Sequence, residues 1–374
     1  VGFFTECYRP IVNGIVASID AARVGLRAAG AEVTTIAPSF PNTRDERDEE
    51  IVRLPSLPLP TSTGYRLCLP YVRARDRERM RNFAIVHAHS PFITGWMAAQ
   101  YARRHNVPFV FTYHTRLEAY AHYVPIASPQ VRERAAIALT RRYANAADLV
   151  LVPTLAMQAQ LEAFGVRARI VVVPSAIDVA RFAHGRRVAA VRERLGAQGD
   201  APLVLAVARL GREKNLELAI AALADRAGAG LRLAIVGEGA HRAALEALAR
   251  SAGVADRIRF AGALPPADLP DVYASADAFV FPSTTETQGL VLAEALAAGL
   301  QVVAVDVPAS HDVLGGAGVL VPAEAGRLAA ALAVAVTRGR NESAVHLAHM
   351  RFSMGGQSRT ILGLYEEAIA AKTP

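Results

Sequence analysis

Short, continuous apolar runs alternate with longer stretches of helical period along the whole chain. In the first half the runs Val33–Ala37, Ile85–Ala88, Phe109–Thr112, Leu149–Val152 and Ile170–Val173 predict strands, and Val1–Phe4 already reads as one. Between them Gly14–Ala29, Phe92–Arg104 and Gln130–Ala146 carry helical periodicity. Uninterrupted β-branched runs separated by helices imply strands covered on both faces, hence a parallel sheet in a doubly wound α/β layout. The rhythm pauses near Pro174–Asp178, crosses a polar turn at Gly196–Pro202, and restarts with Leu203–Ala208, Leu231–Val236, Ile258–Phe260, Ala278–Phe281 and Val302–Val305. The pattern predicts two Rossmann-like domains, residues 1–174 and 175–354, with a hinge near Pro174–Asp178. A last helix over Gln357–Ala370 is free to pack on either, and the 355–374 tail can return to the first.

Bulk properties narrow the class. The chain has 374 residues, 52% hydrophobic and 20% charged, which suits two buried cores and excludes global disorder. Two cysteines, Cys7 and Cys68, cannot staple a chain of this size, so a reducing compartment is expected. No apolar run reaches membrane-spanning length and no signal pattern opens the sequence, which gives the expectation of a cytoplasmic protein. The net charge of +7 is compatible with an acidic partner. Nucleic acid is not expected, because no zinc-finger spacing, aromatic platform or lysine tract occurs.

Three strand-to-helix junctions in the second half carry the candidate chemistry. The first is Phe281-Pro282-Ser283-Thr284-Thr285-Glu286-Thr287-Gln288-Gly289-Leu290, continuing through Glu294 to Gly299. Ligands in open α/β sheets bind outside the carboxyl ends of strands, and helix starts offer N–H groups to phosphate. Glu286 then belongs to the loop and Glu294 to the helix, where a carboxylate can accept from both hydroxyls of a ribose. The second junction, Arg209-Leu210-Gly211-Arg212-Glu213-Lys214-Asn215, places two cations, Arg209 and Lys214, at one edge, able to neutralise a leaving diphosphate as Mg²⁺ does elsewhere. No Asp-x-Asp pair exists, which fits a metal-free site with no cofactor beyond the donor. The third, Gly237-Glu238-Gly239, is a weak signal on its own and gains value from its neighbours.

Together these motifs, with Tyr8-Arg9-Pro10 and Asn13-Gly14 at the start, resemble the retaining glycosyltransferases of family 4 and their two-domain GT-B fold, with a cleft between the domains. The resemblance implies that Arg209 and Lys214 bind the donor diphosphate, that Glu286 contacts the donor sugar, and that Glu294 binds the ribose. It further implies that Thr287, Gln288, Gly289 and Leu290 cap phosphate and sugar through their backbone, that Gly237 and Glu238 line the donor site, that Gly14 lets the first loop approach the donor, and that Leu264 lies near the base. Ala176 and Ala240 depart from the glycine and proline common at these positions in the family.

In the first half, Thr112-Tyr113-His114-Thr115 ends a strand, and the resemblance puts His114 near the reacting carbon. No carboxylate nucleophile is suggested, so same-face substitution is the favoured chemistry. The run Tyr113–Tyr123, read with Thr285–Gly289, is similar to bacterial diacylglycerol glucosyltransferases, implying UDP-glucose rather than a GDP-sugar as donor and a membrane glycerolipid as acceptor, with Tyr113 and Tyr120 on the acceptor side. Mannosyltransferases with lipid acceptors share much of this pattern. The run Val72–Arg81 predicts a helix with Arg73, Arg77 and Arg81 on one face, suited to an anionic membrane surface and equally to a solvated face. Hexosyl transfer to a phosphoinositide or soluble sugar, a sugar-nucleotide epimerase and a silent nucleotide-sugar-binding protein remain open. His87 and His89 share a strand face and invite a zinc reading, for which no third and fourth ligand follow.

Overall fold

A computed structural model describes residues 1–41, 50–59, 65–119 and 128–372. The chain forms two compact units, one from Val1–Ala176 together with the segment from Met354, the other Ile177–Ser353.

The first unit is built on a seven-stranded parallel sheet. In chain order the strands are β1 (Gly2–Phe4), β2 (Thr34–Pro38), β3 (Ile51–Leu54), β4 (Ser56–Pro58), β5 (Arg66–Cys68), β6 (Val86–Ala88), β7 (Phe109–Thr112), β8 (Leu149–Val152) and β9 (Arg169–Val172). The sheet order is β3-β2-β1-β6-β7-β8-β9, and β4 and β5 pair separately as an antiparallel ladder. Successive side chains enter opposite faces of the sheet: Phe4, Val86, Phe111 and Val150 join one core, while Phe3, Ile85, Val110, Leu149 and Leu151 join the other. That second core is closed by the helix Met354–Lys372, which supplies Ile361, Leu364 and Tyr365 against Ile19 and Leu26 of the helix Gly14–Ala28. The helices approach so closely that a Cβ on Gly25 would lie 2.0 Å from Ser358 Oγ.

The second unit has β10 (Leu203–Val207), β11 (Arg232–Val236), β12 (Ile258–Gly262), β13 (Ala278–Phe281), β14 (Gln301–Val305) and β15 (Val319–Val321), all parallel, in the order β12-β11-β10-β13-β14-β15. Leu205, Ala234, Phe279 and Val302 face one buried cluster; Val204, Ala206, Ile235, Val280 and Val303 face the other. In both sheets the order in which the chain adds strands reverses in mid-sheet, between β1 and β6 and between β10 and β13. These are the topological switch points where such sheets bind ligands.

The structure adds to and corrects the sequence reading. Strands β3 and β15 and the β4–β5 ladder were not predicted. The Val72–Arg81 run is not one helix. It forms two single 3-10 turns, Ala74–Asp76 and Glu78–Met80, with Arg73 and Arg81 in extended backbone. The cause is burial of Asp76 and Met80, which fixes the two turns separately. Arg79 lies 3.6 Å from Asp76, and Arg81 pairs with Glu78 at 2.8 Å, so Arg73, Arg77 and Arg81 do not form a shared helical face.

Candidate active site

In the second unit the loops after β10 and β13 meet across the switch point. After β10 the chain makes a 3-10 turn, Arg212–Lys214, ended by Asn215 in the left-handed region at φ 51°. Asparagine tolerates that conformation better than most residues. Its Nδ2 donates to the Pro282 carbonyl at 3.1 Å, stitching this turn to the loop after β13. Thr285 Oγ1 donates to the Glu213 carbonyl at 3.3 Å, and Ser283 Oγ lies 3.2 Å from both that carbonyl and Glu286 Oε1. The stitching brings Lys214 Nζ onto Glu286 as a partly buried ion pair, each side chain 17% exposed. Arg209 pairs with Glu213 from the same turn.

Gly289 caps the helix Leu290–Ala297 from the left-handed region at φ 77°, and a Cβ there would stand 2.8 Å from the Phe281 ring. The first N–H groups of a helix lack intrahelical acceptors, and no acidic residue occupies this first turn. Gln288 is buried. Glu294, on the same helix, accepts a 2.6 Å bond from Tyr273 Oη. Burial pushes its carboxyl pKa up, opposed by Tyr273 and by the charge of Arg181. Gly237 closes the neighbouring junction: at φ 135°, its absent Cβ would fall 1.9 Å from the Ala208 carbonyl. Backbone packing therefore requires this glycine. Glu238 pairs with Arg242 at 2.7 Å, and Leu264 packs half-buried on the core.

In the first unit the carboxyl ends of β6 and β7 gather three histidines. The rings of His87 and His89 stack with centroids 4.3 Å apart, and His89 stacks on His114 at 5.2 Å. His87 bonds Tyr365 Oη through Nδ1 and Thr112 Oγ1 through Nε2, both at 2.6 Å, and His89 Nδ1 meets His114 Nε2 at 3.0 Å. Both nitrogens of His87 are thus engaged by protein oxygens. Burial, with mutual repulsion of positive charge for His87, holds His114 at about 4 and His87 at about 3, and pushes His89 well below its ordinary value. The cluster is neutral at pH 7. It offers polar, uncharged imidazole rather than imidazolium. Gly14 is exposed at the start of its helix, next to the Asn13 cap whose Oδ1 accepts from Val16 N at 3.0 Å.

A profile described as Glycosyl transferases group 1 matches residues 188–346, and one described as Glycosyltransferase Family 4 matches residues 12–181. A GDP-mannose-dependent alpha-mannosyltransferase of Mycobacterium tuberculosis is 33% identical over 319 residues, covering 84% of this chain and 81% of that protein. The chain belongs to the family 4 glycosyltransferases. An alpha-monoglucosyldiacylglycerol synthase of Acholeplasma laidlawii is 29% identical over 81% of this chain and 79% of its own length. Among solved structures, a sucrose-phosphate synthase from Thermosynechococcus elongatus superposes with TM-score 0.76 at 22% identity over 99% of both chains, consistent with the GT-B fold.

Within this glycosyltransferase, the second unit brings Lys214 and Glu286 into contact and sets Glu294 on the adjoining helix. Tyr113 is 2% exposed, beside the Phe111 ring, with Oη donating to Glu118 at 3.3 Å, so its side chain belongs to the core of the first unit. Strand alternation accounts for this: Tyr113 and Phe111 point to one face, and Thr112 and His114 to the other. Tyr120 lies outside the described residues. Sequence reading missed Tyr273 and Glu6, and gave Ser283, though inside the first junction, no role of its own. Glu6 follows β1, and its Oε2 accepts from both Thr94 N (2.9 Å) and Thr94 Oγ1 (2.6 Å) at the first switch point. Position at a predicted strand end was the one available signal for Glu6 and Ser283. Tyr273 had none.

Proposed function

We propose that this glycosyltransferase moves a hexose, glucose in the favoured version, from a nucleotide diphosphate sugar to a membrane glycerolipid with retention of anomeric configuration. The observation that carries the donor side is the Lys214–Glu286 pair across the second switch point, beside the start of the helix Leu290–Ala297. Lys214 and Arg209 neutralise the diphosphate as the bond from the anomeric carbon to phosphate oxygen breaks. Backbone N–H groups of Thr287–Leu290 hold phosphate and sugar, Glu286 contacts the hexose, and Glu294 accepts from the ribose hydroxyls. The acceptor oxygen bonds to the anomeric carbon on the face the phosphate leaves, and its proton passes to the departing phosphate oxygen. The protein's work is then positioning and charge stabilisation, without a metal ion.

The similarity to a protein named as a monoglucosyldiacylglycerol synthase supports glucose and a glycerolipid. The similarity to a GDP-mannose-dependent enzyme supports the second reading, mannosyl transfer. On the first unit, Leu57 (52% exposed) and Leu67 (40%) stand directly opposite each other on the β4–β5 ladder, in the same region of chain as Arg73, Arg77 and Arg81. Exposed apolar side chains on one ladder suit peripheral attachment to a membrane surface. Among the described residues no helix is long and apolar enough to cross a membrane.

The test is a donor panel of UDP-, GDP- and ADP-sugars, with EDTA, against vesicles carrying diacylglycerol or phosphatidylinositol and against soluble sugars. Glucosyl-diacylglycerol from UDP-glucose, with retained configuration, is the expected product. Mannosylated lipid from GDP-mannose would select the second reading. Free interconversion of nucleotide sugars, or tight binding with no turnover, would overturn both.

A further inference from the structure

A phenol approaches Glu294 from the core of the second unit, and its setting is that of a fixed support. Tyr273 sits on the short helix Leu269–Ala274, reached from the loop after β12, and is fully buried. Its ring stacks on Phe279, centroids 5.6 Å apart at 28°, and meets the Phe182 ring edge-on at 5.5 Å. Packed on both sides, the ring cannot swing, and its hydroxyl is delivered to Glu294 Oε2 at 2.6 Å. An ionised carboxylate only accepts, so the phenol is the donor.

The remaining neighbours define why Glu294 needs such a donor. The carboxylate is only partly exposed, and burial works against its charge. Arg181, on the helix Val179–Ala183, contributes positive charge from a distance, while its guanidinium donates to the Pro266 carbonyl and lies over the Phe182 ring. Arg181 therefore helps keep Glu294 ionised without orienting it. Orientation falls to Tyr273. Each carboxylate oxygen accepts more than one hydrogen bond, so the bond to Tyr273 fixes the plane of the group and still leaves acceptor sites for a ligand diol.

We infer that Tyr273 is the positioning residue of the ribose subsite: it locks Glu294 in the rotamer that accepts from a vicinal diol, and thereby sets the discrimination between ribo- and 2′-deoxyribonucleotides. The inference rests on the proposed role of Glu294 as the ribose acceptor. Tyr273 itself touches no substrate.

Tyr273→Phe keeps the ring, its stacking and its volume, and removes only the donor. Calorimetric titration of the full chain with UDP, GDP and their 2′-deoxy forms reads the consequence. Tyr273→Phe should weaken the ribonucleotide that binds about tenfold, the loss of one charge-assisted hydrogen bond's worth of ordering. It should leave the 2′-deoxy form within about twofold. In a Glu294→Gln background the same substitution should have almost no further effect. Nucleotide affinity of Tyr273→Phe should also fall away at higher pH than in the unaltered protein, because Glu294 then gains a proton more readily; a purely structural role for Tyr273 would not move that profile. Equal losses for ribo- and 2′-deoxynucleotide, or losses that simply add to those of Glu294→Gln, would overturn the inference. If Glu294→Gln itself fails to distinguish UDP or GDP from the 2′-deoxy forms, the ribose assignment falls, and that outcome is separate from additivity. Circular dichroism melts of each variant establish that the binding is read on folded protein.

Discussion

Replacing Lys214 by Met separates the structural from the catalytic value of the pair across the second switch point. Lys214 and Glu286 are each 17% exposed, so the pair is largely desolvated but still touches water. Removing one partner of a fully buried pair costs about 3–5 kcal/mol, and an exposed pair about 0–1. The observed exposure, and the Ser283 hydroxyl 3.2 Å from the same Glu286 oxygen, place the cost of Lys214→Met between them, about 1–3 kcal/mol. For a unit of 177 residues (177 to 353) that is a fall of roughly 2–4 °C in Tm per kcal/mol. Adding Glu286→Gln removes the stranded charge and should restore most of the lost stability. Activity should behave in the opposite way. Lys214→Met should lower kcat about 10²–10³-fold through the loss of a cation at the leaving diphosphate, and Glu286→Gln should recover none of it. The assay is a four-member cycle read by thermal melts and by steady-state transfer from the donor that the panel selects. The reasoning is refuted if the double variant regains activity along with stability, or if Lys214→Met transfers sugar at the unaltered rate.

Three further outcomes follow from the same structure. Gly237→Ala should destabilise the second unit by about 2–5 kcal/mol, because its Cβ would lie 1.9 Å from the Ala208 carbonyl at a φ of 135° that favours glycine; a melt within a degree of the unaltered protein would contradict this. The histidine cluster should make the first unit acid-sensitive. His114 and His87 titrate in the fold at about 4 and about 3, below their unfolded value near 6.5, so the stability they contribute is present above about pH 6.5 and lost as pH falls toward 4. Melts between pH 4 and 8 should show that slope, flattened in His89→Phe. Leu57→Ser with Leu67→Ser should reduce sedimentation with anionic vesicles at moderate salt while donor binding stays unchanged; equal sedimentation with neutral vesicles would remove the proposed anionic-membrane role.

Much of the architecture was legible before folding. Runs such as Leu149–Val152 and Ala278–Phe281 are apolar at every position because both faces of their sheets are covered, and they emerged as strands at those residues. Strand β15 escaped because three residues amid glycines carry little periodicity. The Val72–Arg81 run misled because its arginine spacing is helical, whereas its backbone follows the buried Asp76 and Met80. In the candidate site, the residue types and their positions at strand ends identified Glu286, Glu294, Arg209 and Lys214 as candidates. Local sequence determined which residues stand at those ends, because strand and helix periods are properties of a few neighbouring side chains. It could not determine that Lys214 and Glu286, 72 residues apart, would pair, that Tyr273 would reach Glu294 from another helix, or that strand parity would bury Tyr113. The Lys214–Glu286 contact arises only when the sheet order sets β10 beside β13, and the Tyr273–Glu294 contact only when their two helices are brought together, since both depend on topology and not on spacing along the chain.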